Sequence, residues 1–232
     1  MTTLGLIDGL GPETTVEYYR LIIARYLEKT GGDYPSIVIN SVDLNRLISW
    51  MNADELGKAA DYLADEFERL HKAGADIAAL ATNTPHIVFD QLRERAKMPL
   101  VSIVEATCDT AQALGCSKVG LLGTRFTMQA CFYPDVFEKA GIQLITPMPD
   151  EQAYIHDKYM NELLKNSFLS ETRTKVLDII QTLIARESVD AVILGGTELP
   201  LLLRIEEHNG VPLLDTARIH SNALVDRLLR GL

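Results

Sequence analysis

Asp76-Ile77-Ala78-Ala79-Leu80-Ala81-Thr82 returns, 114 residues further along the chain, as Asp190-Ala191-Val192-Ile193-Leu194-Gly195-Gly196. Each version is an acid, an apolar run of strand length, and a small residue at the end. Such a run without alternation reads as a strand buried on both faces, as in a parallel sheet. Two more matches keep the spacing. Leu4-Gly5-Leu6-Ile7 corresponds to Val119-Gly120-Leu121-Leu122 at an offset of 115, and Pro99-Leu100-Val101 to Pro212-Leu213-Leu214 at 113. One match carries little, because short apolar strands resemble one another. Three in order at a nearly constant offset point to an internal duplication. The alternative is two βα units whose strands are alike without being related.

Around these phrases, short apolar runs alternate with amphipathic stretches. Strands are read at 4–7, 36–40, 77–81, 118–122, 191–194 and 213–214. Helices are read at 12–29, 54–72, 87–96, 128–140, 151–165, 171–187 and 216–229. In the second helix Leu56, Ala59, Ala60, Leu63, Phe67 and Leu70 share one face. This alternation predicts an α/β fold with parallel sheets covered by helices. The duplication predicts two lobes, 1–98 with 215–232 and 99–214. Ligands of open α/β sheets bind at the carboxyl ends of strands. Two similar lobes facing each other would therefore set the loop after Thr82 opposite the loop after Gly196, across one cleft.

The 232 residues suffice for two modest cores. A net charge of −10 disfavours non-specific binding to nucleic acid or an anionic membrane. It leaves room for a local pocket that takes a small anion. No run approaches the roughly 20 apolar residues that span a bilayer, and the start lacks the features of a secretory signal. Cys108, Cys116 and Cys131 form no CxxC pair and have no accompanying histidine spacing, so neither a zinc site nor any other metal site is expected. Three scattered thiols suit a reducing cytoplasm.

Three loops have the composition of a binding site. Asp8-Gly9-Leu10-Gly11-Pro12-Glu13-Thr14-Thr15 follows a strand and opens a helix, where glycines and free N–H groups can meet an anion. It is neither a dinucleotide fingerprint nor a P-loop, and a plain tight turn explains it equally well. Thr82-Asn83-Thr84-Pro85-His86 gathers hydroxyl and amide groups at a strand end, as a carboxylate site or an ordinary helix cap would. His86 itself reads as a packing or capping residue. Gly195-Gly196-Thr197-Glu198-Leu199-Pro200 allows close backbone approach, with Glu198 placed to orient a neighbour or cap a helix. Two shorter loops, at 123–127 and 215–220, complete the set.

These motifs, with Gly123-Thr124-Arg125-Phe126-Thr127-Met128 between them, resemble the aspartate/glutamate racemase family over essentially the whole chain. The branch they approach is that of aspartate racemases and broad-specificity amino-acid racemases. The resemblance implies two Rossmann-like lobes related by a pseudo-twofold, a homodimer, a small amino-acid or carboxylate substrate, and no pyridoxal phosphate or other cofactor. It implies a two-base reaction in which one cysteine removes the Cα proton and a second returns one. Those cysteines would fall at Thr82 and Gly196, the same pair that the internal repeat aligns. Both are replaced here. Asp8 stands where the family usually has glycine, which puts a carboxylate there either to act as a base or to repel an anionic substrate. The resemblance further implies substrate contacts from Gly9, Asn83, Thr84, Thr124, Thr127, Thr197 and Glu198. It implies a carboxylate clamp at Arg46 and a second cation at Lys165, although surface solvation accounts for both as well. Three functions follow: a cofactor-independent enzyme acting at Cα, a ligand-binding homologue without catalysis, or a lyase or decarboxylase using another base. In each, ordinary thiol racemisation is doubtful.

Overall fold

The computed structural model describes residues 2–9 and 11–231, so Leu10 of the first loop lies outside the described residues. The chain forms two compact units, one of residues 1–103 with 220–232 and the other of residues 104–219.

The first unit runs β1 (Thr3–Asp8), α1 (Pro12–Thr30), β2 (Ser36–Ser41), α2 (Leu44–Asn52), α3 (Leu56–Lys72), β3 (Ile77–Leu80), a 3₁₀ turn (Thr84–Val88), α4 (Phe89–Arg95) and β4 (Leu100–Val101). Its sheet is parallel, in the order β2-β1-β3-β4. The α3 stripe does what its spacing predicts. Ala59, Ala60, Leu63, Phe67 and Leu70 are buried, and Leu56 packs at the margin of the same core. Glu66 is buried too, where the Asn40 amide donates to it at 2.7 Å.

The second unit runs α5 (Ile103–Ala113), β5 (Lys118–Gly123), α6 (Arg125–Gln129), α7 (Pro134–Lys139), β6 (Gln143–Ile145), α8 (Pro149–Asn161), a 3₁₀ turn (Leu163–Lys165), α9 (Ser170–Glu187), β7 (Ala191–Gly195), α10 (Leu199–Leu203), β8 (Glu207–His208) and β9 (Val211–Asp215), and the chain closes with α11 (Thr216–Arg230), most of which belongs to the first unit. The unit boundary falls after the first residue of α5 and again within α11. The sheet order is β6-β5-β7-β9-β8. All pairs are parallel except β8 with β9, a short antiparallel exception to the expected pattern.

The repeated phrases occupy equivalent places in the two units. Asp76 Oδ2 accepts the Thr3 N–H at 2.7 Å, tying the start of β3 to the start of β1. Asp190 Oδ2 accepts the Ser117 and Lys118 N–H groups at 2.7 and 2.9 Å, the same tie between β7 and β5. Gly5 and Gly120 sit within the first strand of each unit, where a covering helix comes close. A Cβ on Gly5 would lie 3.1 Å from Leu70 Cδ1, and one on Gly120 would lie 2.7 Å from Leu183 Cδ2. Burying each of those leucines is worth about 1.5–3 kcal/mol, so glycine at these strand positions serves the packing of α3 and α9.

Several sequence readings need correction. The helix read at 128–140 is two helices separated at Ala130, whose ψ is 164°. Pro134 is the reason: within one continuous helix its ring would meet the carbonyl of residue 130 and its missing N–H would leave that carbonyl without a partner. The helix read at 151–165 ends at Asn161, and Lys165 falls in the following 3₁₀ turn. The stretch 87–96 begins as a 3₁₀ turn and becomes α4. Helices α2, α5 and α10 and strands β4, β6 and β8 were not read. Ile103-Val104, β-branched and directly after a strand, carries no helical sign of its own. Among the described residues no helix is long and apolar enough to cross a membrane.

Candidate functional site

In the first unit the candidate residues gather at the carboxyl ends of β1 and β3. Asp8 closes β1 and is fully buried, and its Oδ1 accepts the Gly9 N–H at 2.9 Å. The Asp8 carbonyl accepts the Val42 N–H at 2.8 Å, which holds this corner against the end of β2. Gly9 has φ +87°, and a Cβ there would come within 2.9 Å of the Val42 nitrogen. Only glycine fits such a corner without strain. The pairing of Ile7 with Leu80 carries Thr82 and Asn83 to the strand end beside Asp8, and both are buried. Asn83 opens the 3₁₀ turn without a side-chain cap bond, which sets aside the ordinary-cap reading of its amide, and Thr84 follows, half-buried.

His86 is a packing residue. It is buried and stacks on Phe89 with ring centroids 4.6 Å apart, and its Nε2 accepts the Ile103 N–H at 3.3 Å. Burial drives its pKa down to about 3, with His220 acting in the same direction. A neutral ring whose Nε2 already accepts a backbone N–H is poorly placed to deprotonate Thr82. His220, also buried, accepts or donates to Tyr18 Oη at 2.9 Å through Nδ1 and lies 3.1 Å from the Val101 carbonyl through Nε2.

In the second unit the pairing of Gly123 with Gly195 brings the ends of β5 and β7 together. Thr124 caps α6, its Oγ1 accepting the Thr127 N–H at 3.3 Å, and the two hydroxyls are 3.3 Å apart. Thr127 fits against both glycines. A Cβ on Gly123 would lie 2.9 Å from Thr127 Cβ, and one on Gly195 3.0 Å from Thr127 Cγ2. Thr197 and Glu198 follow, both buried. Glu198 does not cap α10. Its Oε2 instead accepts the Tyr159 hydroxyl, and accepts the Thr197 hydroxyl at 3.2 Å. Its Oε1 is buried and has no hydrogen-bond partner.

Tyr159, on α8, is the residue that sequence reading missed. A Cβ on Gly196 would lie 2.7 Å from Tyr159 Oη and 2.8 Å from its Cζ, well inside van der Waals contact. The phenol therefore occupies the space that a side chain at 196 would take. No local signal marks it, since it lies in an amphipathic helix 39 residues before its partner and is buried as that helix's apolar face is. Burial pushes the Glu198 carboxyl up to about 7, the hydrogen bonds from Tyr159 and Thr197 opposing it in part. Burial and then the Glu198 charge push the Tyr159 phenol well above its ordinary value.

The two predicted cations are both exposed. Arg46 is exposed on α2, its guanidinium 5.6 Å from the Trp50 ring centre and 5.4 Å from that of Tyr62. Lys165 is exposed at the end of its 3₁₀ turn. Cys108 is buried on α5, Cys116 is half-buried and Cys131 exposed; none lies in the strand-end loops. Among the described residues no group of three or more His, Cys, Asp or Glu could share a metal ion.

The chain matches known proteins along its length. The sequence profile of the Asp/Glu/Hydantoin racemase family matches residues 7–224. A solved Asp/Glu racemase candidate from Yersinia pestis is 33% identical, with 99% of this chain and 100% of that one covered and a TM-score of 0.88. An aspartate racemase homologue from Pyrococcus horikoshii is 29% identical over 99% and 100% of the two chains, with a TM-score of 0.80. The broad specificity amino-acid racemase RacX of Bacillus subtilis is 29% identical over 148 residues, which is 61% of this chain and 63% of RacX. The chain belongs to the Asp/Glu/Hydantoin racemase family.

Proposed function

We propose that this protein binds a small amino acid or dicarboxylate and acts at its Cα proton without a cofactor, by a route other than thiol two-base racemisation. One observation carries the reading: the strand-end loops hold clustered hydroxyl, amide and glycine residues, and all three cysteines lie elsewhere. On this reading Thr82 and Gly196 stand at the positions of the family's two thiols. A threonine hydroxyl has no accessible anion comparable with a tuned thiolate, and glycine has no group to ionise. Asn83, Thr84, Thr124, Thr127 and Thr197 are the substrate-carboxylate contacts, with Gly9 allowing close approach. Asp8 is the ionisable group at the Thr82 strand end. Arg46 and Lys165, both exposed, are the candidate cationic contacts for a second carboxylate. We further propose a cytoplasmic homodimer, as the family resemblance implies.

Titration calorimetry with each enantiomer of aspartate and glutamate, in buffer free of pyridoxal phosphate and metal, tests the reading. Saturable binding of at least one is expected, with loss of its α-proton NMR signal in deuterium oxide. If none of the four binds, these are not its ligands and the reading fails. Binding with no proton loss reduces it to the ligand-binding homologue.

A further inference from the structure

We propose that the Tyr159 phenol, backed by Glu198, takes the place of the missing second thiol as the acid–base group on the Gly196 side of the substrate. The inference rests on the function proposed above and deepens it by naming a catalytic residue and the residue that positions it.

The geometry is specific. The space beside Gly196 is filled rather than vacated. The atom of Tyr159 nearest to serving as a proton carrier, Oη, lies 2.7 Å from the point where a Cβ at 196 would be. A side chain at 196 would thus compete with the Tyr159 ring and hydroxyl for the same space. Tyr159 is fixed there from two directions. Its ring belongs to the apolar core of the second unit, with Met128, Ile155, Leu163 and Leu199. Its hydroxyl is held by Glu198 Oε2, which Thr197 also donates to. Packing alone would not call for a carboxylate at 198 with one oxygen buried and unpartnered. Leaving a buried polar atom unsatisfied is costly, which a group acting with a substrate can repay and an inert core contact cannot.

Chemically, the pair is a relay. The substrate's Cα–H bond breaks and its proton passes to Tyr159 Oη. The phenolic proton passes at the same time to Glu198 Oε2, and the electron pair of the broken bond moves into the substrate's α-carboxylate. Nothing is oxidised or reduced, and the reverse step returns a proton to the same face. Glu198 must start as the carboxylate, and its titration near neutral pH matches that need. The groups acting on Glu198 are Tyr159 and Thr197, and those acting on Tyr159 are Glu198 and Thr197, so the relay's pH dependence belongs to this cluster. With the relay at Gly196, and with Asp8 at the Thr82 strand end fully buried and already accepting the Gly9 N–H, the expected chemistry is one-sided. One enantiomer exchanges its α-proton with retention of configuration.

The experiment follows α-proton exchange of each enantiomer of aspartate and glutamate by NMR in deuterium oxide, for the unmodified chain, Tyr159→Phe and Glu198→Gln, with calorimetric binding and thermal unfolding run alongside. We expect the unmodified chain to exchange one enantiomer, at a rate that rises with pH through about 7. We expect Tyr159→Phe to bind but to exchange at least about 10²-fold more slowly, the ordinary scale of one acid–base group. We expect Glu198→Gln to be slow also and to lose the rise with pH, which a purely structural change would not remove. Exchange by Tyr159→Phe at the unmodified rate overturns the relay. So does binding without any exchange by the unmodified chain, which leaves the binding reading standing. Absence of binding overturns the functional reading itself, and the relay with it. If Tyr159→Phe does not fold, Glu198→Gln carries the test: an unchanged rate and pH profile there overturns the proposal.

Discussion

The two units are built on one plan and finished differently. Asp76 and Asp190 pin the same strand starts, Gly5 and Gly120 admit the same helix leucines, and the order β2-β1-β3-β4 is repeated as β6-β5-β7-β9. These features hold the sheets together and are nearly identical. The carboxyl strand ends diverge. In the first unit a buried Asp8 lies beside Thr82 and Asn83. In the second a glycine lies beside a tyrosine–glutamate pair brought in from α8 and the residue before α10. The shared plan carries the fold, and the strand ends carry different chemistry.

Titration gives the largest expected difference. Glu198 is raised from 4.5 to about 7 by burial. Between those values the unfolded chain releases its proton while the folded chain keeps it. The Glu198 contribution is therefore full below about pH 4.5 and falls as pH rises through about 7, by on the order of 3 kcal/mol. His86 and His220 act in the opposite sense. Burial lowers them to about 3 and about 4, so their contribution is full above about pH 6.5 and is lost as pH falls toward those values. Urea unfolding across this range should show both slopes. Glu198→Gln should remove the decline between about pH 4.5 and 7 and leave the acid limb in place. An unchanged decline would mean that the folded carboxyl titrates normally.

Restoring the thiols one at a time should give unequal costs. Thr82→Cys exchanges groups of similar size and should change stability by less than about 1.5 kcal/mol. Gly196→Cys drives a Cβ into the Tyr159 ring and should cost about 1–3 kcal/mol, with relief when Tyr159→Ala is added. Equal unfolding midpoints for the two single variants would show that Tyr159 yields easily and is no fixed part of the site.

Smaller still is the difference between the two strand-start aspartates. Asp190 accepts two backbone N–H groups and the Ser117 hydroxyl, whereas the Thr3 N–H is the bond described for Asp76. Replacement by alanine should cost about 1 kcal/mol at Asp76 and somewhat more at Asp190. Identical unfolding curves would show that these ties contribute nothing measurable.

Much of the fold was legible because it rests on local pattern. The apolar runs 4–7 and 118–122 and the α3 stripe each carry their own signal, and the loops that end β1, β3 and β7 follow from strand position. Boundaries that depend on a single residue were harder to see, as at Ala130, where Pro134 ends a helix four residues ahead of itself. The site was legible only in part. Thr82, Asn83, Gly196 and Glu198 stand out by motif. Tyr159 does not, because its part depends on packing across 37 residues of sequence, between α8 and a glycine whose missing side chain gives it room. Read as sequence, Gly196 is a loss; in three dimensions its place is taken.

The most direct test of the account compares two rates on one sample. Chiral chromatography measures interconversion of the aspartate and glutamate enantiomers, and NMR in deuterium oxide measures their α-proton exchange. A chain whose one competent acid–base group is the Tyr159–Glu198 relay should exchange one enantiomer at least about 100 times faster than it inverts it, the scale of a missing acid–base group. Inversion that keeps pace with exchange, from both enantiomers, would show two competent bases and contradict it.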